Sequence, residues 1–169
     1  FLLNSILIIF VFYLFFVTLK DFISKKFKNL SQTLAHFGFS LLLLSILFNN
    51  IFTTEVITNM KVGENYKSKK LNIYFEDLSK KEEKNFTSII GKFKIENLNG
   101  RVEIMQPELR IYNQPNITTS EADINVNLLS DKFMTMNIVQ NKDHFNIRYQ
   151  IKPFMIWIWF SVLLITFGG

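Results

Sequence analysis

The chain has 169 residues, 49% of them hydrophobic, a formal net charge of +5 and no cysteine. The missing thiols exclude disulfides, zinc–thiolate centres and thiol nucleophiles within it. The positive charge does not mark a nucleic-acid surface, because Lys20, Lys25, Lys26 and Lys28 against the single Asp21 account for most of it, and the remaining basic and acidic residues nearly cancel.

Apolar residues concentrate at the two ends and around position 36, whereas most charges lie between Glu55 and Lys152. That distribution predicts membrane helices with an extramembrane insert. Residues 1–19 are apolar apart from Asn4, Ser5 and Thr18, long enough for a transmembrane helix. No basic segment precedes them and no small-residue cleavage site follows, which argues against a signal peptide. Residues 20–32 form a basic turn, expected on the cytoplasmic side by the positive-inside rule. Residues 33–52 form the second predicted span, which would run outward from the cytoplasm and end near Asn49-Asn50.

Between residues 53 and 152 the pattern changes to alternation, as in Leu71–Phe75, Ile89–Ile95, Val102–Met105, Leu109–Tyr112, Ala122–Leu128, Phe133–Val139 and Phe145–Ile151. Turn residues separate these runs at Asn99-Gly100, Asn113 to Asn116 and Asn141 to Asp143. The expectation is an all-β domain of about six to eight strands, a small barrel or sandwich, outside the cytoplasm. The lysine-rich stretch Ser79 to Lys84 reads as a solvated loop. Residues 153–169 return to apolar character, with Pro153 suited to a first helical turn and Trp157 and Trp159 to the headgroup region. This third span is expected to be truncated, and the start at Phe1 without an initiator Met likewise suggests part of a larger membrane protein.

Two residues could carry imidazole chemistry. His144 stands in Asn141-Lys-Asp-His-Phe, where an exposed hairpin turn explains it. His36 lies in an apolar helix, where an ionisable group is costly and usually faces a bundle interior. Three roles fit it: an axial ligand to haem iron, a proton relay in a transporter, or a hydrogen bond to a neighbouring helix. The residues alone leave these open, as they leave open a non-catalytic anchor displaying an interaction domain. In the β domain, Glu108, Arg110 and Glu121 stand near turns, with Glu108 and Arg110 on one strand face and an ion pair to a neighbouring strand expected. The sequons at Asn85 and Asn116 are too common a pattern to weigh.

Four ordered blocks carry a resemblance. Leu34-Ala-His-Phe-Gly38, Pro107-Glu-Leu-Arg-Ile-Tyr112, Thr119-Ser-Glu-Ala-Asp-Ile124 and Arg148-Tyr-Gln-Ile-Lys-Pro-Phe-Met-Ile-Trp-Ile-Trp159, followed by Phe167-Gly-Gly169, resemble segments of the CcmF family, the haem lyase subunit of cytochrome c maturation. Ser120, Asp123 and Asp131-Lys-Phe-Met134 depart from the family pattern. The resemblance implies the C-terminal part of a multi-pass protein of the bacterial inner membrane, with the β domain in the periplasm. It implies that His36 is an axial ligand of a haem b whose other ligand lies upstream. It also implies covalent attachment of haem to the thiols of an apocytochrome c, with a haem chaperone and a thiol-reducing, apocytochrome-binding subunit as partners. The segment alone would not be an active enzyme.

Overall fold

The computed structural model describes residues 2–24, 29–69, 71–97, 100–139 and 143–169, with side chains described from Ser5 onward. Lys25, Lys26 and Lys28 of the basic turn, Asn99 of the Asn99-Gly100 turn, and Asn141 and Lys142 lie outside the described residues. The chain divides into two compact units: a helical unit of residues 1–53, 126–131 and 152–169, and a β unit of residues 54–125 and 132–151.

In the helical unit, α1 spans Leu2–Ile23, α2 spans Leu30–Phe52 and α3 spans Met155–Gly168. None has an internal proline, and leucine, isoleucine and phenylalanine dominate all three. At 1.5 Å per residue α1 and α2 are each about 33–35 Å long, enough to cross a hydrocarbon core of about 30 Å. Both pass as membrane spans by length and composition. The third helix does not: its 14 residues rise only about 21 Å. Two helices of spanning length are therefore described where the sequence suggested three. α1 also runs past the expected end at residue 19, and α2 starts before residue 33. Pro153, expected in the first turn of α3, is instead the last residue of the preceding strand. Phe154 makes the turn between them with φ 61° and ψ 18°, a left-handed conformation uncommon for a bulky residue. Its N–H is held by Leu129 O at 2.9 Å.

Small residues set the α2–α3 contact. A Cβ at Gly38 would lie 2.9 Å from Leu164 Cβ and 3.0 Å from the Ile165 backbone nitrogen, so only glycine permits this approach. The two helices run antiparallel. Ser31 Oγ donates to Gly168 O at 2.7 Å near one end, and Asn49 Nδ2 donates to Pro153 O at 2.7 Å near the other. A second face of α2 meets α1 through aromatic pairs, with ring centroids 4.8 Å apart for Phe22–Phe37 and 5.8 Å for Phe12–Phe48. Between them the hydroxyls of Thr18 and Ser40 are hydrogen-bonded at 2.6 Å. Both residues are buried, and each hydroxyl also reaches a carbonyl of its own helix. That satisfies polar groups which an apolar setting would otherwise penalise.

Ten strands are described in the β unit and its continuations, more than the six to eight expected. They are β1 (Thr54–Met60), β2 (Asn65–Lys67), β3 (Leu71–Glu82), β4 (Phe86–Asn97), β5 (Val102–Met105), β6 (Glu108–Asn113), β7 (Asn116–Glu121), β8 (Asp123–Asn125), β9 (Ser130–Ile138) and β10 (Phe145–Pro153). They form a four-stranded sheet in the order β1-β10-β9-β8 and a six-stranded sheet in the order β2-β3-β4-β6-β7, with β5 also paired to β4. Both sheets feed one core: Met60, Met134, Met136, Ile147 and Tyr149 from the first, and Leu71, Ile73, Phe75, Phe93, Ile95, Met105 and Leu109 from the second. Two sheets facing across one apolar layer make a sandwich. Phe75 and Phe93, a register pair of β3 and β4, stack at 4.2 Å in its centre.

Of the stretch Ser79 to Lys84, expected as a loop, only Glu83 and Lys84 lie in the turn. β3 continues through the rest of it to Glu82, pairing Lys80 with Ile89 and Lys81 with Ser88. Its charges are neutralised locally, Lys80 by Glu82 at 2.9 Å within the strand and Lys81 by Glu83 of the following turn at 2.6 Å, so a run of charges is compatible with a strand.

Phe93 is fully buried. Phe93→Ala is expected to destabilise the β unit by about 3–5 kcal/mol, measured by denaturant unfolding of the purified protein; a loss below about 1 kcal/mol would contradict the packing described.

Candidate functional site

Helical periodicity divides α2 into three faces. Ser31, Ala35 and Gly38 meet α3, while Phe37, Ser40 and Phe48 meet α1. The third carries Gln32, His36, Phe39, Leu43, Ile46 and Asn50 at spacings of three and four, and all but Leu43 are exposed. His36 is thus turned away from α3 and sits at the border of this outward face with α1.

There the imidazole opens into a recess of about 230 Å³ lined by Thr18 and Asp21 of α1 and by Gln32, Thr33 and His36 of α2. The recess is polar although both helices are apolar. Asp21 entered it because α1 continues to Ile23, bringing a residue expected in the basic turn onto a helix end. Sequence reading missed Asp21, Gln32 and the Thr18–Ser40 link as neighbours of the histidine. A hydroxyl and a carboxylate three residues apart at the end of an apolar run were the available signal. Chemically, the site offers one imidazole donor with a carboxylate, an amide and hydroxyls around it. Among the described residues, no group of three or more His, Cys, Asp or Glu could hold a bare metal ion.

His144 does not join this site. It precedes β10 in the β unit, and its carbonyl accepts the Val139 N–H at 3.2 Å. It is half-buried rather than exposed, with Nδ1 enclosed and without a hydrogen-bond partner among the described residues.

Glu108 and Arg110 pair with each other along β6, not with a neighbouring strand. Arg110 Nε donates to Glu108 Oε1 at 2.9 Å and Nη2 to Oε2 at 3.2 Å, a two-pronged contact. Ser88 Oγ, from β4, donates to the same Oε1 at 2.7 Å. The guanidinium lies 5.1 Å from the centre of the Phe86 ring, a cation–π arrangement. The Arg110 hydrogen bond is the main cause holding the Glu108 carboxyl below the usual carboxylate range, against opposing burial and with help from Ser88. Glu121 faces Glu108 in register, and its carboxylate accepts a hydrogen bond from Thr119 Oγ1 at 3.1 Å. Every group here already has a polar partner and none is an activated nucleophile, so the cluster braces the sheet.

Residues 51–153 match the family described as the CcmF C-terminal beta-sandwich. The cytochrome c-type biogenesis protein CcmF of Pseudomonas fluorescens is 26% identical over 136 residues, which cover 80% of this chain and 21% of that protein. The cytochrome c-type biogenesis protein NrfE of Haemophilus influenzae is 24% identical over 160 residues, covering 93% of this chain and 25% of that protein. A solved structure titled cytochrome c heme lyase CcmF shares the fold, with a TM-score of 0.65 and 17% identity over 91% of this chain and 27% of its own. The chain spans about a fifth to a quarter of the length of these relatives.

The Glu108 contact fixes a direction of pH dependence. A carboxyl whose folded pKa is lowered adds stability above its unfolded value near 4.3, and that contribution is lost as pH falls through the folded value. Glu108→Gln is therefore expected to flatten the acid limb of stability below about pH 5, read as the unfolding midpoint against pH. An acid limb identical to that of the parent protein would contradict the assignment.

Proposed function

Because this chain belongs to the CcmF family and carries its C-terminal β-sandwich, we propose that it is the C-terminal segment of a membrane haem lyase that attaches haem covalently to apocytochrome c, and that His36 provides an axial ligand to a haem b. The observation that carries the reading is the direction of His36: an exposed imidazole turned away from α3, at the border of the outward face of α2, opening into a polar recess it shares with α1.

The residues present fit one side of such a group. A neutral imidazole offers one ring nitrogen to iron and one N–H to a second partner. Asp21, Gln32 and Thr33 line the same recess and offer acceptors for that N–H, the outer support that commonly fixes a histidine's tautomer and orientation. A planar macrocycle would lie against the exposed Phe39 and Ile46 farther along the same face. The close α2–α3 contact at Gly38 and the Thr18–Ser40 hydrogen bond hold α2 against rotation, so the imidazole keeps its direction. When bound, the haem supplies one-electron redox chemistry. The second axial ligand comes from a part of the protein other than the described residues.

Topology follows from charge. With the lysines after Lys20 in the cytoplasm, α2 runs outward across the bacterial inner membrane and delivers the β-sandwich to the periplasm, where apocytochromes mature. The absence of cysteine suits this role, since the apocytochrome brings the thiols that form the thioether bonds. The partners in this reading are the apocytochrome, the haem chaperone of the pathway and its thiol-reducing, apocytochrome-binding subunit. The segment by itself is not a complete enzyme. A second reading draws on the same recess: a carboxylate beside an imidazole also suits proton relay in a transporter.

The full-length protein carrying His36→Ala separates them. A reduced-minus-oxidised absorption spectrum of the purified protein is expected to lose its b-type bands, whereas an undiminished b-type signal would remove the haem-ligand reading; a pH-dependent flux abolished by the substitution, without bound haem, would favour proton relay.

A further inference from the structure

Residues 126–131 belong to the helical unit although β8 precedes them and their last two residues, Ser130 and Asp131, begin β9. Their polar groups are drawn inward. Leu129 O accepts the Phe154 N–H at 2.9 Å, and Leu128 O accepts the Trp157 indole N–H at 2.8 Å. The Asn127 N–H donates to the Asp131 carboxylate at 3.1 Å. Asp131, the only charged residue of the segment, is 7% exposed. What faces outward is mainly aliphatic, beside the exposed Asn127: Val126 is 60% exposed, Leu128 68% and Leu129 67%.

These side chains do not stand alone. Leu128 shares an apolar recess of about 210 Å³ with Ile156, Trp157 and Phe160. From there Ile156, Phe160, Leu163 and Phe167, spaced four, three and four residues apart, continue as a ridge along α3. The ridge faces away from Ile165 and Gly168, which pack on α2. Phe160, Leu163 and Phe167 are all exposed. The segment sits at the start of α3, the end where Asn49 of α2 bonds Pro153, and so at the opposite end of the helices from Lys20.

A loop that presents three aliphatic side chains to water is unusual, since loops are ordinarily polar surface. The same loop suits a bilayer interface, where aliphatic side chains enter the acyl boundary and an indole sits at headgroup level. Non-helical backbone at that depth needs its polar groups satisfied within the protein, which three of the contacts above accomplish. We infer that residues 126–131 form an interfacial membrane anchor, in which Val126, Leu128 and Leu129 enter the phospholipid headgroup–acyl boundary beside Trp157. The lipid then continues along the α3 ridge. The anchor fixes the depth at which α3 enters the membrane, and the inference rests on the reading that these helices are membrane-embedded.

The test uses the full-length protein with any native cysteines replaced, reconstituted in phosphatidylethanolamine–phosphatidylglycerol vesicles. Nitroxide labels are placed singly at Leu128→Cys, Leu129→Cys, Leu163→Cys and Lys84→Cys, the last in an exposed turn of the β unit. Accessibility to molecular oxygen is compared with accessibility to a water-soluble nickel chelate. Labels at 128 and 129 are expected to favour oxygen several-fold over the chelate relative to the label at 84. Chelate-accessible labels at 128 and 129 beside an oxygen-accessible label at 163 would overturn the anchor while leaving the membrane reading intact. Labels at 128 and 129 closed to both probes would overturn it in favour of another segment of the protein as the cover. A chelate-accessible label at 163 would instead defeat the membrane reading itself.

Discussion

The close approach of α2 to α3 is the contact on which the helical unit depends. Gly38 lets the two backbones meet where any side chain would collide with Leu164 and Ile165. Ser31 and Asn49 pin the antiparallel pair near its two ends. Between two apolar helices in lipid there is little hydrophobic drive to associate, so small residues and interhelical hydrogen bonds set the geometry. With one face committed to α3 and another, through Phe37 and Ser40, to α1, rotation of α2 is no longer free. His36 is left pointing outward because the other directions are occupied. Its position, at the edge of the α1 contact, follows from packing of the neighbouring faces.

The β unit uses a different economy. Its core is closed by large apolar side chains from both sheets, while the charged residues sort themselves on the outer faces. Lys80 with Glu82 and Arg110 with Glu108 are pairs two residues apart along a strand, the spacing that puts both members on one face. Exposed pairs of this kind add little stability. The Ser88–Glu108–Arg110–Phe86 cluster is more enclosed, and its worth lies in fixing side chains on the face of β4 and β6. Lys132 and Glu103 make a further ion pair that is mostly shielded from water. Near it, Tyr149 is buried, and burial together with the Glu103 charge pushes its phenol well above the ordinary range.

Much of this was legible from residue order, and the exceptions have physical causes. Long apolar runs identified α1 and α2, and alternation identified the main strands. β2, at three residues, is too short for alternation to register, and of the alternating run Ala122–Leu128 only Asp123–Asn125 forms a strand, β8. The end of β3 was hidden because Lys80, Lys81 and Glu82 solvate both faces and erase the period of two. Pro153 fits a first helical turn as readily as a strand end, and local sequence does not tell which partner will claim the preceding residues. The candidate site was half legible. An imidazole in an apolar helix announces His36, but its companions come from α1, and Asp21 reached it only because that helix is longer than its apolar composition indicates. Which of three helix faces a histidine occupies depends on where its neighbours pack, and that information is not local.

The central claim is that His36 binds haem iron rather than only packing or relaying protons. Replacing it with glycine in the full-length protein removes the ligand and leaves space for a substitute, so free imidazole should take its place. Titrating imidazole into purified His36→Gly protein, with the reduced absorption spectrum as readout, gives the most direct answer. The account expects weak b-type bands without imidazole and their recovery, saturably, as imidazole is added. Full b-type bands before any imidazole is added would contradict it.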